Sequence, residues 1–291
     1  MSFGDWYYNN LGKLLIVTLI IFAAAFVVIG KTIHDTGDFV LKDVSLTGGV
    51  SARVQIPVEV DKVEAALESS LGQDVLVKRL AEFGSDEQTG FTVEAGGDIT
   101  ADQLEDALHT ELGLELNDEN FSVEQTGSSL GQSFYKQMVG AIAFAFLLMA
   151  IVVFITFRAF IPSIAVVAAA LFDMVATIAV LDIFGIKLST AGIAALLLLI
   201  GYSIDTDVLL TTRVLRRDGE TKEKIFSSIK TGMTMTFTAI AALLAGLLVS
   251  NSDVIREMFL IVIVGLGFDL ISTWVTNVWL VRWYAERKKH A

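Results

Sequence analysis

The chain has 291 residues, 54% of them hydrophobic, with mean hydropathy +0.64 and only 2 prolines. Its 33 acidic and 21 basic residues leave a formal net charge of −12, and cysteine is absent. Disulfides and thiolate chemistry are therefore excluded, and three scattered histidines (His34, His109, His290) give no metal-ligand spacing.

Six apolar segments reach the length of about 20 residues needed to cross a bilayer. They fall at residues 11–29, 138–157, 161–184, 188–210, 232–249 and 258–281. The first has an apolar core too long for the hydrophobic region of a cleaved signal, and no small-x-small cleavage site follows Gly30. Residues 1–30 therefore read as a retained signal anchor.

Residues 31–134 form a polar insertion with 21 acidic against 6 basic residues, whereas the rest of the chain has 12 against 15. Such acidity fits an attraction for basic unfolded segments, or a surface kept hydrated in high salt. Alternation of Val50, Ala52, Val54 and Ile56 predicts a strand over 50–57. Val63, Ala66 and Leu67 against Asp61, Glu64 and Glu68 predict an amphipathic helix over 60–71. Strands follow at 75–83 and 90–95, with Gly84-Ser85-Asp86 starting the turn between them. A second helix is expected at 100–112, with Thr100 as N-cap and Gln103 completing a capping box, then a strand at 121–125. The order βαββαβ is that of a ferredoxin-like domain. No catalytic constellation stands out in it.

Within the later spans, polar residues fall on helical faces. The third carries Asp173 with Thr177 one turn on, and Asp182 near its end. The fourth carries two aspartates two residues apart, which places them on different faces: Gly201, Asp205 and Thr212 on one, Ser203, Asp207 and Thr211 on the other. The fifth has Thr231, Thr234 and Thr238 in line, and the sixth has Asp269, Ser272, Thr273, Thr276 and Asn277 on one face. A carboxylate at the centre of a bilayer costs roughly 2.5–3.5 kcal/mol on insertion scales, so these acids mark a polar interior and proton or ion handling. Asp205, the deeper of the pair, and Asp269 are expected to carry the relay with Asp173 supporting them, and Asp207 is a further relay candidate that could instead reach the interface or pair with the arginines after the span.

Basic residues cluster after the fourth span (Arg213, Arg216, Arg217, Lys222, Lys224, Lys230) and after the sixth (Arg282, Arg287, Lys288, Lys289). Lys13 and Arg158 fall on the same side. The excess of cations predicts that side to be cytoplasmic, with both termini inside and residues 31–134 outside. Residues 135–284 would form a five-helix core and 285–291 a basic cytoplasmic tail. No G-x-x-x-x-G-K-[ST] phosphate loop occurs, so an ion gradient or a partner must supply any energy.

Five motifs in order carry a family resemblance. Ser45-Leu46-Thr47-Gly48-Gly49 resembles D-F-T-G-G, Thr126-Gly127-Ser128-Ser129-Leu130-Gly131 resembles V-G-P-S-x-G, and Phe157-Arg158 resembles an F-R pair. Leu171-Phe172-Asp173-Met174 resembles L-H-D-V, and Gly201-Tyr202-Ser203 through Arg213 resembles G-Y-S-[IL]-N-D-T-V-V-V-x-D-R. Together they are similar to SecF, the smaller membrane subunit of the SecDF protein-export complex in the RND superfamily, in its archaeal form. Two positions depart from the bacterial pattern: Thr206 stands where its signature has an aspartate, and Met235 where its fifth span has an arginine.

The resemblance implies a half-RND bundle of six spans in the plasma membrane, with one ferredoxin-like external domain between the first two. It implies pairing with a SecD-type subunit, contact with the Sec translocon channel and with translocating polypeptides, and an export role drawing on an ion gradient. No enzyme activity, cofactor or nucleic-acid partner is expected. The alternatives are a passive scaffold for a membrane partner and an independent RND-type exporter of lipids or small molecules.

Overall fold

The computed structural model describes residues 3–73, 75–81, 88–97, 99–117, 119–250 and 252–290. In chain order the elements are α1 (Phe3–Thr36), α2 (Val44–Thr47), β1 (Gly49–Val54), α3 (Val60–Leu71), β2 (Val75–Ala81), β3 (Gln88–Ala95), α4 (Ala101–Leu112) and β4 (Phe121–Thr126). There follow α5 (Ser128–Phe157), α6 (Phe160–Ile183), α7 (Thr190–Arg216), α8 (Thr221–Val249), α9 (Asp253–Ile271), a π-helical segment (Ser272–Asn277) and α10 (Val278–His290). The chain divides into two units, Met1–Leu41 with Gly140–Ala291, and Lys42–Val139.

Among the described residues six helices are long and apolar enough to cross a membrane, and all but the start of α5 lie in the first unit. Hydrocarbon offers backbone amides no partner but each other, which is why these segments are helical throughout. α6 and α7 are its centre. Ala165, Ala169, Ala170, Ala176 and Ala179 of α6 are all buried, and small side chains let helix backbones approach closely where no hydrophobic effect drives association. α5 buries only a narrow seam, Met149, Val153 and Phe157 at i, i+4 and i+8, while Phe144, Leu147, Val152 and Ile155 are exposed. It ends where Arg158 takes a left-handed conformation (φ 51°) and its N–H bonds the Phe154 carbonyl at 2.9 Å. Two residues then turn the chain into α6, whose Pro162 sits in the first turn, where no intrahelical N–H is needed.

The sixth span departs from the single regular helix expected over 258–281. It starts earlier, at Asp253, and its middle widens into the π-helical segment before α10 resumes. Two contacts support that wider turn. The Tyr7 hydroxyl of α1 donates to the Trp274 carbonyl, and the Trp274 ring lies where a side chain on Gly232 of α8 would be.

The second unit follows the predicted order of strands and helices. Its four strands form one antiparallel sheet in the order β2-β3-β1-β4, with Ala52 opposite both Val93 and Val123. Val50, Ala52, Val54, Phe91, Val93 and Ala95 present one buried face, closed by Val63 and Leu67 of α3 and Leu104 and Leu108 of α4. Thr100 and Gln103 make the capping box at the start of α4, and Gly72 and Gly113 end α3 and α4 in left-handed conformations. β1 stops at Val54, short of the expected 57; the Gln55 N–H still bonds the Asn120 carbonyl at 2.8 Å, and Pro57, which has no N–H, cannot extend the ladder further. The turn expected at Gly84-Ser85-Asp86 lies outside the described residues.

Two of the short glycine motifs meet in this unit. Gly48 (φ 87°) and Gly49 (φ 136°) follow α2 in conformations that side chains rarely adopt. The first turn of α5 packs on them so closely that a Cβ on Gly131 would fall 2.7 Å from the Gly48 amide nitrogen. Because the obstacle is backbone, Gly131→Ala is expected to destabilise the unit by about 1–3 kcal/mol. Thermal unfolding of the full chain in detergent checks this, with Gly140→Ala, where a Cβ meets nothing within 4 Å, as the tolerated control.

Candidate functional site

Three aspartates from three helices converge in the first unit: Asp173 of α6, Asp207 of α7 and Asp269 of α9, each 0% exposed. Asp173 and Asp207 both lie within Coulombic range of Asp269. Neutral groups surround them. Ser203 Oγ donates to Asp173 Oδ2 at 2.7 Å. Thr206 Oγ1 lies 3.1 Å from Asp269 Oδ2 and 2.9 Å from the Ser203 carbonyl. Asn277 Nδ2 donates to Asp207 Oδ1 at 2.5 Å. Among the described residues no lysine or arginine pairs with any of the three, and no set of three or more His, Asp or Glu is placed to hold a metal ion.

Thr273 is the joint of the cluster. Its Oγ1 is 2.8 Å from Asp207 Oδ1 and 3.1 Å from Asp269 Oδ1. A hydroxyl has one hydrogen to donate. The second of these contacts is a hydrogen bond only if one of the two carboxyls brings a hydrogen of its own. Three acceptor oxygens around the cluster, Asp173 Oδ1, Asp207 Oδ2 and Asn277 Oδ1, are buried without a hydrogen-bond donor, while the Thr211 hydroxyl is buried with its hydrogen unused. A proton on one of these carboxyls would supply a donor where two acidic oxygens meet.

The π-helical segment sets this geometry. In a regular helix each residue turns about 100°, so Asp269, Thr273 and Asn277 would drift round the axis. The wider π turn keeps residues four apart more nearly in line, and such insertions recur at functional positions in helices. Thr273 thereby reaches both carboxylates while Asn277 reaches Asp207. Thr276, expected on the same face, falls to one side and is only half-buried.

The structure places Asp207, not Asp205, beside Asp269. Asp205 is exposed on the opposite side of α7 with Gly201 and Tyr202, so the expected relay between Asp205 and Asp269 is not assembled within this chain. Sequence spacing separated the two faces, but α7 is apolar on both and hydropathy could not say which turned inward. Of the other motif residues, Arg213 bonds α8 through Ser227 and Thr231. Arg158 occupies the α5–α6 turn and is exposed, while Gly48 and Gly49 belong to the second unit. Thr206 is a partner that no acidic or basic pattern could single out.

A family described as "Protein export membrane protein SecD/SecF, C-terminal" matches residues 108–287. The chain is 37% identical to the protein-export membrane protein SecF of Pyrococcus furiosus over 279 residues, covering 95% of this chain and 92% of that one. It is 35% identical to SecF of Haloferax volcanii over 278 residues, covering 94% and 92%. Among solved structures, SecDF from Thermus thermophilus, a translocon-associated membrane protein, superposes with a TM-score of 0.75 at 22% identity. That match covers 98% of this chain and 40% of the SecDF chain.

Contact between Asn277 and Asp207 gives a measurable coupling. Asn277→Ala leaves a buried carboxylate short of a donor and should cost about 1–3 kcal/mol of stability. Combined with Asp207→Asn, the loss should be smaller than the sum of the single changes by at least about 0.5 kcal/mol. A double-mutant cycle on chemical unfolding in detergent reads both figures.

Proposed function

The chain belongs to the SecF family of protein-export membrane proteins, in its archaeal type, and on that footing we propose that it pairs with a SecD-type subunit and moves protons through its buried aspartates. The pairing is supported by the match to part of a longer SecDF chain. The assembly assists export at the Sec translocon channel, with emerging polypeptides handled outside the membrane. In this reading both termini are cytoplasmic, as the basic residues after α7 and within α10 favour. Residues 31–134 are extracytoplasmic, between the first two spans, and the second unit is a ferredoxin-like domain, the reading its strand order supports.

The observation that carries the proton step is the position of Thr273 between two carboxyl oxygens. A proton on Asp269 passes to the Thr273 oxygen as the hydroxyl's own hydrogen passes to Asp207. The threonine ends neutral, and rotation of its hydroxyl resets it. Asp173, held by Ser203, is the next acceptor on the α6 side of Asp269. Displacement of one proton changes which carboxyl is charged, and with it the packing of α6, α7 and α9 around the cluster. That is how ion flow would become movement.

Affinity purification of the tagged chain from native membranes tests the pairing, and a stoichiometric six-span partner is expected. Export of a secreted reporter in a deletion strain tests the proton step. Asp207→Asn and Asp269→Asn should each lower it at least about tenfold, roughly 1.4 kcal/mol, while leaving expression and partner recovery unchanged. Thr273→Val should do the same and Thr273→Ser should retain most activity. Full export by the asparagine variants with normal assembly would establish instead a scaffold whose acids only join helices.

A further inference from the structure

Asp205 lies outside the buried cluster, in a lateral groove between α7 and α8. A cavity of about 470 Å³ is lined there by Tyr202, Asp205, Thr234, Met235, Thr238 and Leu266. A second, of about 440 Å³, continues along α7 past Asp205 and Thr212 to Arg213, Arg216 and Arg217. Asp205 precedes Arg213 by eight residues, about 12 Å along a helix axis. If those arginines mark the membrane surface, the carboxylate lies well inside a hydrocarbon layer about 30 Å thick. An acid at that depth needs a partner.

Among the described residues none bonds Asp205, and Arg217, the remaining base lining the second cavity, is exposed and about 18 Å farther along the helix axis. The Thr234 and Thr238 hydroxyls are spent on the Lys230 and Thr234 carbonyls at 2.8 and 2.7 Å. Thr212 bonds the Val208 carbonyl at 2.6 Å. Arg213 is held by the Ser227 carbonyl and the Thr231 hydroxyl at 2.7 and 2.9 Å, and Arg216 by the Thr156 carbonyl. Met235, on the facing wall, has no charge to offer.

Beside Asp205 the surface is shaped for close approach. A Cβ on Gly201, one turn away, would meet nothing within 4 Å, whereas on Gly232 or Gly265 it would run into a neighbouring side chain. The small size of Gly201 is thus not required by this chain's own packing. A glycine one turn from a polar group on an outward face is how spanning helices accept one another. Leu198 and Tyr202 extend the same face, both exposed.

We propose that Asp205 is this chain's half of an ion pair between subunits: the α7–α8 groove seats a spanning helix of the SecD-type partner, which sets a lysine or arginine against the carboxylate. The inference rests on the pairing read above and adds the face, the residue and the charge that the partner must bring. Charge complementarity decides the occupant, since an acyl chain would leave the acid unpaired and a second copy of this chain would oppose it with another acid.

The test uses the full chain co-expressed with its partner. A photo-crosslinking residue at Tyr202 should capture a partner spanning helix bearing a base within about one turn of the crosslink, while the same probe at Val152 on exposed α5 should capture lipid. Asp205→Lys should lower partner recovery at least tenfold, and replacing the identified base by aspartate should restore it. Asp205→Asn, which keeps the shape, separates charge from packing and should give an intermediate loss. Crosslinks to lipid alone at Tyr202, a captured helix without a base, or undiminished recovery with Asp205→Lys would each overturn the proposal. Failure of the unmodified chain to recover any partner would instead overturn the pairing itself.

Discussion

Everything in the membrane unit follows from one constraint: a polar atom in hydrocarbon must find its partner inside the protein. For backbone groups the answer is the helix, and for most threonines it is the carbonyl four residues back, as with Thr177, Thr212, Thr234 and Thr238. Carboxylates have no such local solution. Asp173, Asp207 and Asp269 therefore draw α6, α7 and α9 together, and two of the hydroxyls that serve them, Ser203 and Thr273, are not given back to their own helices.

The same constraint explains why the sixth span is not regular. Thr273 must face two carboxylates and Asn277 one, which a uniform helical turn does not arrange. A π turn does, at the cost of backbone carbonyls left poorly bonded, and the Tyr7 hydroxyl meets one of them. Gly232 leaves room for the indole of Trp274, so the widened turn is held from two sides. The cluster thus depends on the packing of α1 and α8 as well as on the helices that carry the acids.

Much of this was legible in the sequence, and the limits were physical. Six spans follow from apolar length alone, and the second unit's strands and helices from alternation, capping and glycine stops, because each of those signals is local. The inward face of α7 was not legible. Its leucines are equally at home in a protein core and against lipid, so only contacts with α6 and α9 distinguish the Asp207 side from the Asp205 side. The π-helical segment was hidden as well, because residues four apart drift only about 40° per step in a regular helix, so the spacing in the sequence reads as one stripe for either kind of turn. The meeting of Gly48 with Gly131 joins residues more than eighty positions apart. The motifs could be seen separately, but their contact could not.

Asp205 and Asp207 are two residues apart and about 200° apart around one rigid helix. One faces the interior cluster and the other an open groove, so α7 is the element on which the two environments act together. A helix is stiff over this distance, and a small rotation that brings Asp205 nearer a partner must carry Asp207 relative to Thr273 and Asn277. Contacts of 2.8 and 2.5 Å at Asp207 tolerate little displacement before the hydrogen bonds weaken. Reciprocally, under the proposed pairing a change of charge at Asp207 would alter the orientation α7 prefers and so the fit of its outer face. Linkage of this kind works in both directions with the same free energy. It requires no long path through the protein, only two acids on opposite sides of one helix.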